Sequence, residues 1–230
     1  MASGFPAEGL AFLKALKKHN DRDWFQARKD VFETKVKAPM IELIEGVNKA
    51  LHDFAPDYEN DPKKALYRIY RDTRFSNDKT PYKTHIAAIF PRRGLGKHVS
   101  AGFYFQISPE GVGLAAGAYM PGPEELYAIR SWLTDHHKDF AKASQNAEKV
   151  IGPLQGSSLV RSPKGFDPEH PAAELVRRKQ WFYWKELGTD LATSPKLLAE
   201  TIRHFRAARP VIDLLNSSLS SKPKNLDSIL

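Results

Sequence analysis

The stretch RIYRDTRFSNDKTPYK, residues 68–83, places five cations among two carboxylates, two tyrosines and three Ser or Thr hydroxyls. Arg68, Arg71, Arg74, Lys79 and Lys83 can converge on one anion, Arg offering a planar fork of donors and Lys a mobile point charge. Ser76, Thr80 and Tyr82 would add hydroxyl donors. His85, two residues beyond, is the side chain type suited to proton transfer near neutrality. Asp72 and Asp78 are the carboxylates within reach of those arginines, as Arg71–Asp72 or Arg74–Asp78 pairs. The same residues therefore fit two arrangements, an anion clamp and a loop braced by its own ion pairs. Tyr70 and Tyr82 also fit aromatic packing, and His85 also fits a structural role at the head of an apolar strand. No G-x-x-x-x-G-K-[ST] or G-x-G-x-x-G phosphate loop occurs, so the spacing alone names no ligand.

The charge is local. The chain carries a net +8, and residues 63–97 hold ten Lys or Arg against only Asp72 and Asp78, so that segment alone accounts for the excess. Such a field attracts phosphates, carboxylates or nucleic acid; cations of this kind also guard strand edges. A second polar island, PKGFDPEHP, collects Asp167 and His170 three residues apart. They suit an orienting acid–base pair and equally a turn and a helix cap. Arg130 lies about two turns into a helix, positioned either to reach a sheet edge or to stay on the surface. Arg22 and Arg28 flank Trp24 and Phe25, a ring-and-cation cluster that fits a ring-bearing ligand or plain packing. His136 and His137 are adjacent and diverge by about 100° on a helix; with no H-x-x-x-H spacing, no metal site is expected. With no cysteine in the chain, disulfides and thiol catalysis are excluded. No G-x-S-x-G occurs, and the sequence specifies no cofactor.

These residues need elements to position them. Leu10, Leu13 and Leu16 share a helical face over 7–19, and NDRDWF supplies caps for a second helix over about 22–53, interrupted near Pro39. The period then shifts to that of strands in ALYRIYRD, HIAAIF, GFYFQIS and GLAAGAYM, with SPEG as the turn of a hairpin between the last two. Within LYRIYRD, alternation sends Leu66, Arg68, Tyr70 and Asp72 one way and Tyr67, Ile69 and Arg71 the other. A helix opening at PGPEEL follows, then a short strand at SSLVRS, a short helix, a strand at WFYWKEL and a closing helix over 195–215. The order argues for a single α+β domain over 1–215, a mostly antiparallel sheet packed with N-terminal, middle and C-terminal helices. Residues 216–230 lack periodicity and read as a loosely held tail. No apolar run approaches the ~20 residues of a membrane span, and no signal peptide opens the chain. A cytoplasmic protein without membrane contact is the expectation.

RIYRDTRFSNDKTPYKTHIAAIF closely resembles the hallmark of an uncharacterised family, domain-of-unknown-function family 2461. FLKALKKHNDRDWF, AGFYFQISPEG, GAYMPGPEELYAIR and PKGFDPEHPAAELVRRK are similar to the same family, so the resemblance spans roughly residues 5–210. It implies no particular activity. One departure is LAAGAYMP, where Ala115 and Ala116 stand in a stretch that is glycine-richer in the family. Three function classes follow, in order. The first is binding of a small anionic, phosphorylated ligand through the basic strand–loop cluster, with or without catalysis. The second is nucleic-acid binding, and the third a non-enzymatic protein-interaction module whose cluster is structural. Nothing in the sequence fixes the oligomeric state.

Overall fold

The computed structural model describes residues 4–95 and 99–220. Helix α1, Ala7–Lys18, buries Phe12, Leu13 and Leu16 and ends on Lys17 and Lys18, cations that suit the negative end of a helix dipole. The Asp21 carboxylate then accepts from the Trp24 N–H at 2.8 Å, capping the short α2, Arg22–Gln26. The expected second helix is broken more than once. After α3, Lys29–Val31, the chain widens into a π-helical stretch, Phe32–Lys37, before α4, Ala38–Phe54, begins with Pro39 in its first turn. Pro39 has no N–H to offer the carbonyl four residues back, and its ring crowds that carbonyl; the wider turn relieves the conflict. The carbonyl concerned belongs to Lys35. Gly9 of α1 lies directly against it, so close that a Cβ there would sit 2.3 Å from the Lys35 oxygen.

The short α5, Pro62–Ala65, leads to β1, Ile86–Pro91, β2, Gly102–Ser108, and β3, Gly111–Ala118. The long α6, Pro123–Ile151, and the short α7, Ala173–Val176, follow. Then come β4, Trp181–Leu187, α8, Thr189–Thr193, and α9, Leu197–Ser220. The strands form one antiparallel sheet of order β1-β2-β3-β4, with helices before, between and after, as the α+β reading requires. Strands β3 and β4 approach closely at Gly117, where φ is +133° and a Cβ would meet the Trp181 carbonyl at 2.2 Å, so glycine suits both the conformation and the space.

Two expected strands are not strands. ALYRIYRD is extended but pairs only through isolated bridges, Leu66 with Ala88 and Tyr70 with Tyr82. It leaves β1 to pair with its own return limb, where Pro81 has no amide proton with which to extend a ladder. SSLVRS likewise makes a single bridge, Ser158 with Arg178. In α6 the helix kinks at His136, whose φ is −117°. The His136 ring stacks on Trp132 and its Nδ1–H donates to the Trp132 carbonyl at 2.8 Å. The closing helix continues past residue 215 to Ser220. Residues 221–230 of the expected tail lie outside the described residues.

Two compact units are discernible. The first comprises the chain through Phe90 with Tyr104–Leu114 and Lys185–Arg203; the second comprises Pro91–Phe103, Ala115–Trp184 and the chain from His204. The first has an aromatic core in which Phe12, Phe25 and Phe32 meet at 5.2–6.1 Å between centroids. The second buries Leu133, Phe140, Trp181 and Tyr183, and stacks Phe103 on Phe205 at 4.6 Å. Its buried Tyr183 hydroxyl donates to Ser144, and burial pushes the phenol up to about 12. A repeated device fixes the connections. Asn20, Asn48 and Asn216 each present a carboxamide to both backbone groups of one distant residue, respectively Tyr82, Asn60 and Ala101.

Candidate functional site

Residues 68–83 form a hairpin-like loop in the first unit. Its limbs are joined by Lys83 N–H to the Ile69 carbonyl at 2.8 Å and Arg71 N–H to the Pro81 carbonyl at 2.9 Å. Between those bonds Tyr70 and Tyr82 stand directly opposite each other, the close pairing in which side chains touch. Their rings lie 5.3 Å apart. The expected alternation holds along this limb, since Ile69 is buried while Arg68 and Tyr70 are exposed. Tyr82 in turn stacks on Phe25 at 4.1 Å, so α2 and the hairpin share one aromatic stack. Asn20 completes the junction, its Nδ2 donating to the Tyr82 carbonyl at 2.9 Å and its Oδ1 accepting from the Tyr82 N–H at 3.0 Å.

The loop tip is braced by its own charges, with the partners exchanged relative to the two pairings considered above. Arg71 donates to Asp78 and to the Thr80 hydroxyl. Arg74 grips Asp72 with a fork, Nε to Oδ1 at 3.0 Å and Nη2 to Oδ2 at 2.8 Å. Lys79 closes the tip by donating to the Thr73 carbonyl at 2.9 Å. The Asp72 carboxyl is held down at about 2 by its hydrogen bonds from Arg74. Asp78 is also held at about 2, first by the Thr80 N–H and then by Arg71 and the Thr80 hydroxyl. Phe75 projects from the tip almost fully exposed, with the Arg74 guanidinium 5.6 Å from its centroid.

Beside this braced loop an open groove of about 700 Å³ is lined by Asn20, Asp21, Arg22 and Gln26 from the α1–α2 corner and by Tyr70, Arg71, Thr73 and Lys79–Tyr82 from the hairpin. Of the expected binding residues, Arg71, Lys79 and Tyr82 meet here. Arg22 joins them as a cation with no ion pair among the described residues. Asp21 is engaged with the Trp24 N–H.

Arg74, Asp72 and Asp78 belong to the brace. Lys83 turns to another face, its ammonium 5.0 Å from the Tyr67 ring; burial, with Arg68 nearby, holds its pKa below the usual lysine value. Arg68 is exposed on the hairpin limb. His85 is half-buried, and burial followed by the Lys83 cation lowers its pKa. The remaining candidates belong to the second unit. Arg130 donates through Nη2 to the Arg178 carbonyl at 2.9 Å just ahead of β4, and burial lowers its pKa. The Asp167 carboxylate accepts from the Glu169 N–H and the His170 Nδ1 from the Ala172 N–H. Each thus serves a turn, and they do not form the orienting pair. Among the described residues no cluster of His, Cys, Asp and Glu is arranged to hold a metal ion.

Sequence reasoning did not assign Asn20, Gln26 or Tyr70 to a ligand, and it set Arg22 in a separate cluster. One signal was present: NDRDWF offers more capping side chains than one helix start uses.

An α+β fold with an open, cation-lined groove at a helix corner is therefore the class of protein defined here. The chain belongs to the family described as conserved hypothetical protein (DUF2461), whose family model matches residues 8–214. Comparison with curated proteins gives no match. No helix among the described residues is long and apolar enough to cross a membrane.

Proposed function

We propose that the groove between the α1–α2 corner and the 68–83 hairpin binds a small anionic ligand, a phosphorylated molecule rather than a simple carboxylate. The observation that supports it is the convergence of Arg22, Arg71 and Lys79 on one open groove. Among the described residues Arg22 makes no ion pair and Lys79 donates only to a carbonyl. Arg71 is already oriented by Asp78 and Thr80, so an incoming phosphate would meet a guanidinium whose rotamer entropy is partly lost beforehand. Three cations suit the charge and oxygen number of a phosphate better than those of a monocarboxylate.

Titration calorimetry of the full chain with inorganic phosphate, ribose 5-phosphate and succinate tests the reading. Arg22→Ala is exposed and leaves the brace intact, so it should fold and lose about ten-fold or more in phosphate-ester affinity, the scale of one charge-assisted hydrogen bond. Arg74→Ala serves as the control from the brace. Equal affinity of wild type and Arg22→Ala, or a larger loss in Arg74→Ala, would move the site elsewhere.

A further inference from the structure

The groove contains more than cations. Tyr70 keeps 47% of its surface exposed while lining the groove, and its ring is not free to swing. It is backed by Tyr82 at 5.3 Å and Phe25 at 6.5 Å, the inner pair stacked at an interplanar angle of 16°. A ring braced from behind and open in front is a stacking platform that needs little further ordering when a flat ligand arrives. Gln26 lines the same groove, and its carboxamide makes no hydrogen bond among the described residues. It therefore offers one acceptor and two donors to the edge of a heterocycle. A volume of about 700 Å³ lies within the range of roughly 300–1,000 Å³ common for small-molecule sites and is far more than a bare phosphate needs.

From these observations we infer that the ligand is a nucleoside phosphate, its base stacked on Tyr70 and read at its edge by Gln26, its phosphate held by Arg22, Arg71 and Lys79. The inference rests on the anion reading of the groove and adds the base. The same chemistry is presented by a free nucleotide and by one residue of a single strand. Phe75, exposed at the loop tip, is a second ring that only a strand would use.

The test compares adenosine 5′-monophosphate, uridine 5′-monophosphate, ribose 5-phosphate and a hexameric single-stranded oligonucleotide by calorimetry on the full chain. At least one mononucleotide should bind about ten-fold more tightly than ribose 5-phosphate, the scale of one base on an aromatic ring. Tyr70→Ala should erase that advantage without changing ribose 5-phosphate affinity, Tyr70→Phe should keep it, and Gln26→Ala should narrow the difference between the two bases. If Tyr70→Ala does not fold, the Gln26 variant decides, because its side chain is exposed and makes no hydrogen bond among the described residues. Equal binding of nucleotides and ribose 5-phosphate by wild type would overturn the base while leaving the phosphate site standing. No binding of ribose 5-phosphate or phosphate would overturn the anion reading itself. An oligonucleotide that binds more tightly than either mononucleotide, with the gain lost in Phe75→Ala, would support the nucleoside phosphate and identify its source as a strand.

Discussion

Arg71 has two possible partners of the same chemical kind, the Asp78 carboxylate that it already holds and the anion proposed to enter beside it. The internal carboxylate orients the guanidinium and also competes for it. At an exposed position such a pair is weak, so an external phosphate can displace or share it. Asp78→Asn preserves an acceptor for the Thr80 N–H and removes the competing charge. It should raise affinity for inorganic phosphate about two- to five-fold, the equivalent of one exposed ion pair, with calorimetry as the readout. A fall in affinity would mean that orientation outweighs competition and that Asp78 is a positioning residue.

At the scale of elements, α1 and the π-helical stretch are matched through one missing methyl group. Gly9→Ala would place a Cβ against the Lys35 carbonyl, and neither helix can yield without disturbing Phe5, Phe12 and Val36, all buried. Overpacking of this kind costs about 1–3 kcal/mol, and urea denaturation should show the loss, with the midpoint shifted and the slope unchanged. The elements were legible where local pattern and final environment agree. GFYFQIS and WFYWKEL form strands with the bounds that alternation assigns, and Pro at the opening of α6 marks its start. ALYRIYRD carries the same alternation and still fails to become a sheet strand, because alternation reports a half-buried extended chain and not the identity of its partner. The break before Pro39 was legible in the proline itself, but the wider turn that absorbs it was not, and nothing in the apolar spacing of α6 marks the kink at His136.

Across the whole molecule, pH sensitivity includes groups of opposite kind in the first unit, His85 and the carboxylates Asp72 and Asp78, beside Glu8 and Glu110, whose pKa values are also lowered. His85 has a lowered pKa in the fold, so the unfolded chain takes up the proton first as pH falls below about 6.5. The unfolded state then binds more protons, and stability decreases with falling pH until the folded imidazole also titrates. Asp72 and Asp78, held at about 2, contribute stability that is complete above their unfolded value of about 3.9 and is lost as pH falls from there through about 2. Unfolding free energies measured from pH 8 to pH 3 should therefore fall first below about 6.5 and again below about 4. His85→Asn should remove the contribution of His85 to the first fall and leave the second.

The candidate groove was only half legible at this scale. The hairpin cations stood out in composition, since residues 63–97 carry the entire excess charge. Arg22 and Gln26 did not, because only the fold brings a corner near residue 20 against a limb near residue 82. The paired Arg74 and Asp72 looked in the sequence no different from the groove-lining Arg71, since burial and partner choice are settled by the loop's closure and not by residue type.

The asparagine clamp at Tyr82 has a further consequence, for the protein's behaviour among other copies of itself. Tyr82 faces Tyr70 in the pairing that turns its own N–H and C=O outward, which leaves a short stretch of unsatisfied hairpin edge. An open edge of that sort is a template for any passing extended chain. Asn20 fills both positions with one side chain. A carboxamide is a strand one residue long. It satisfies the edge and has no second edge to offer, so hydrogen bonding that would otherwise propagate from molecule to molecule stops within one.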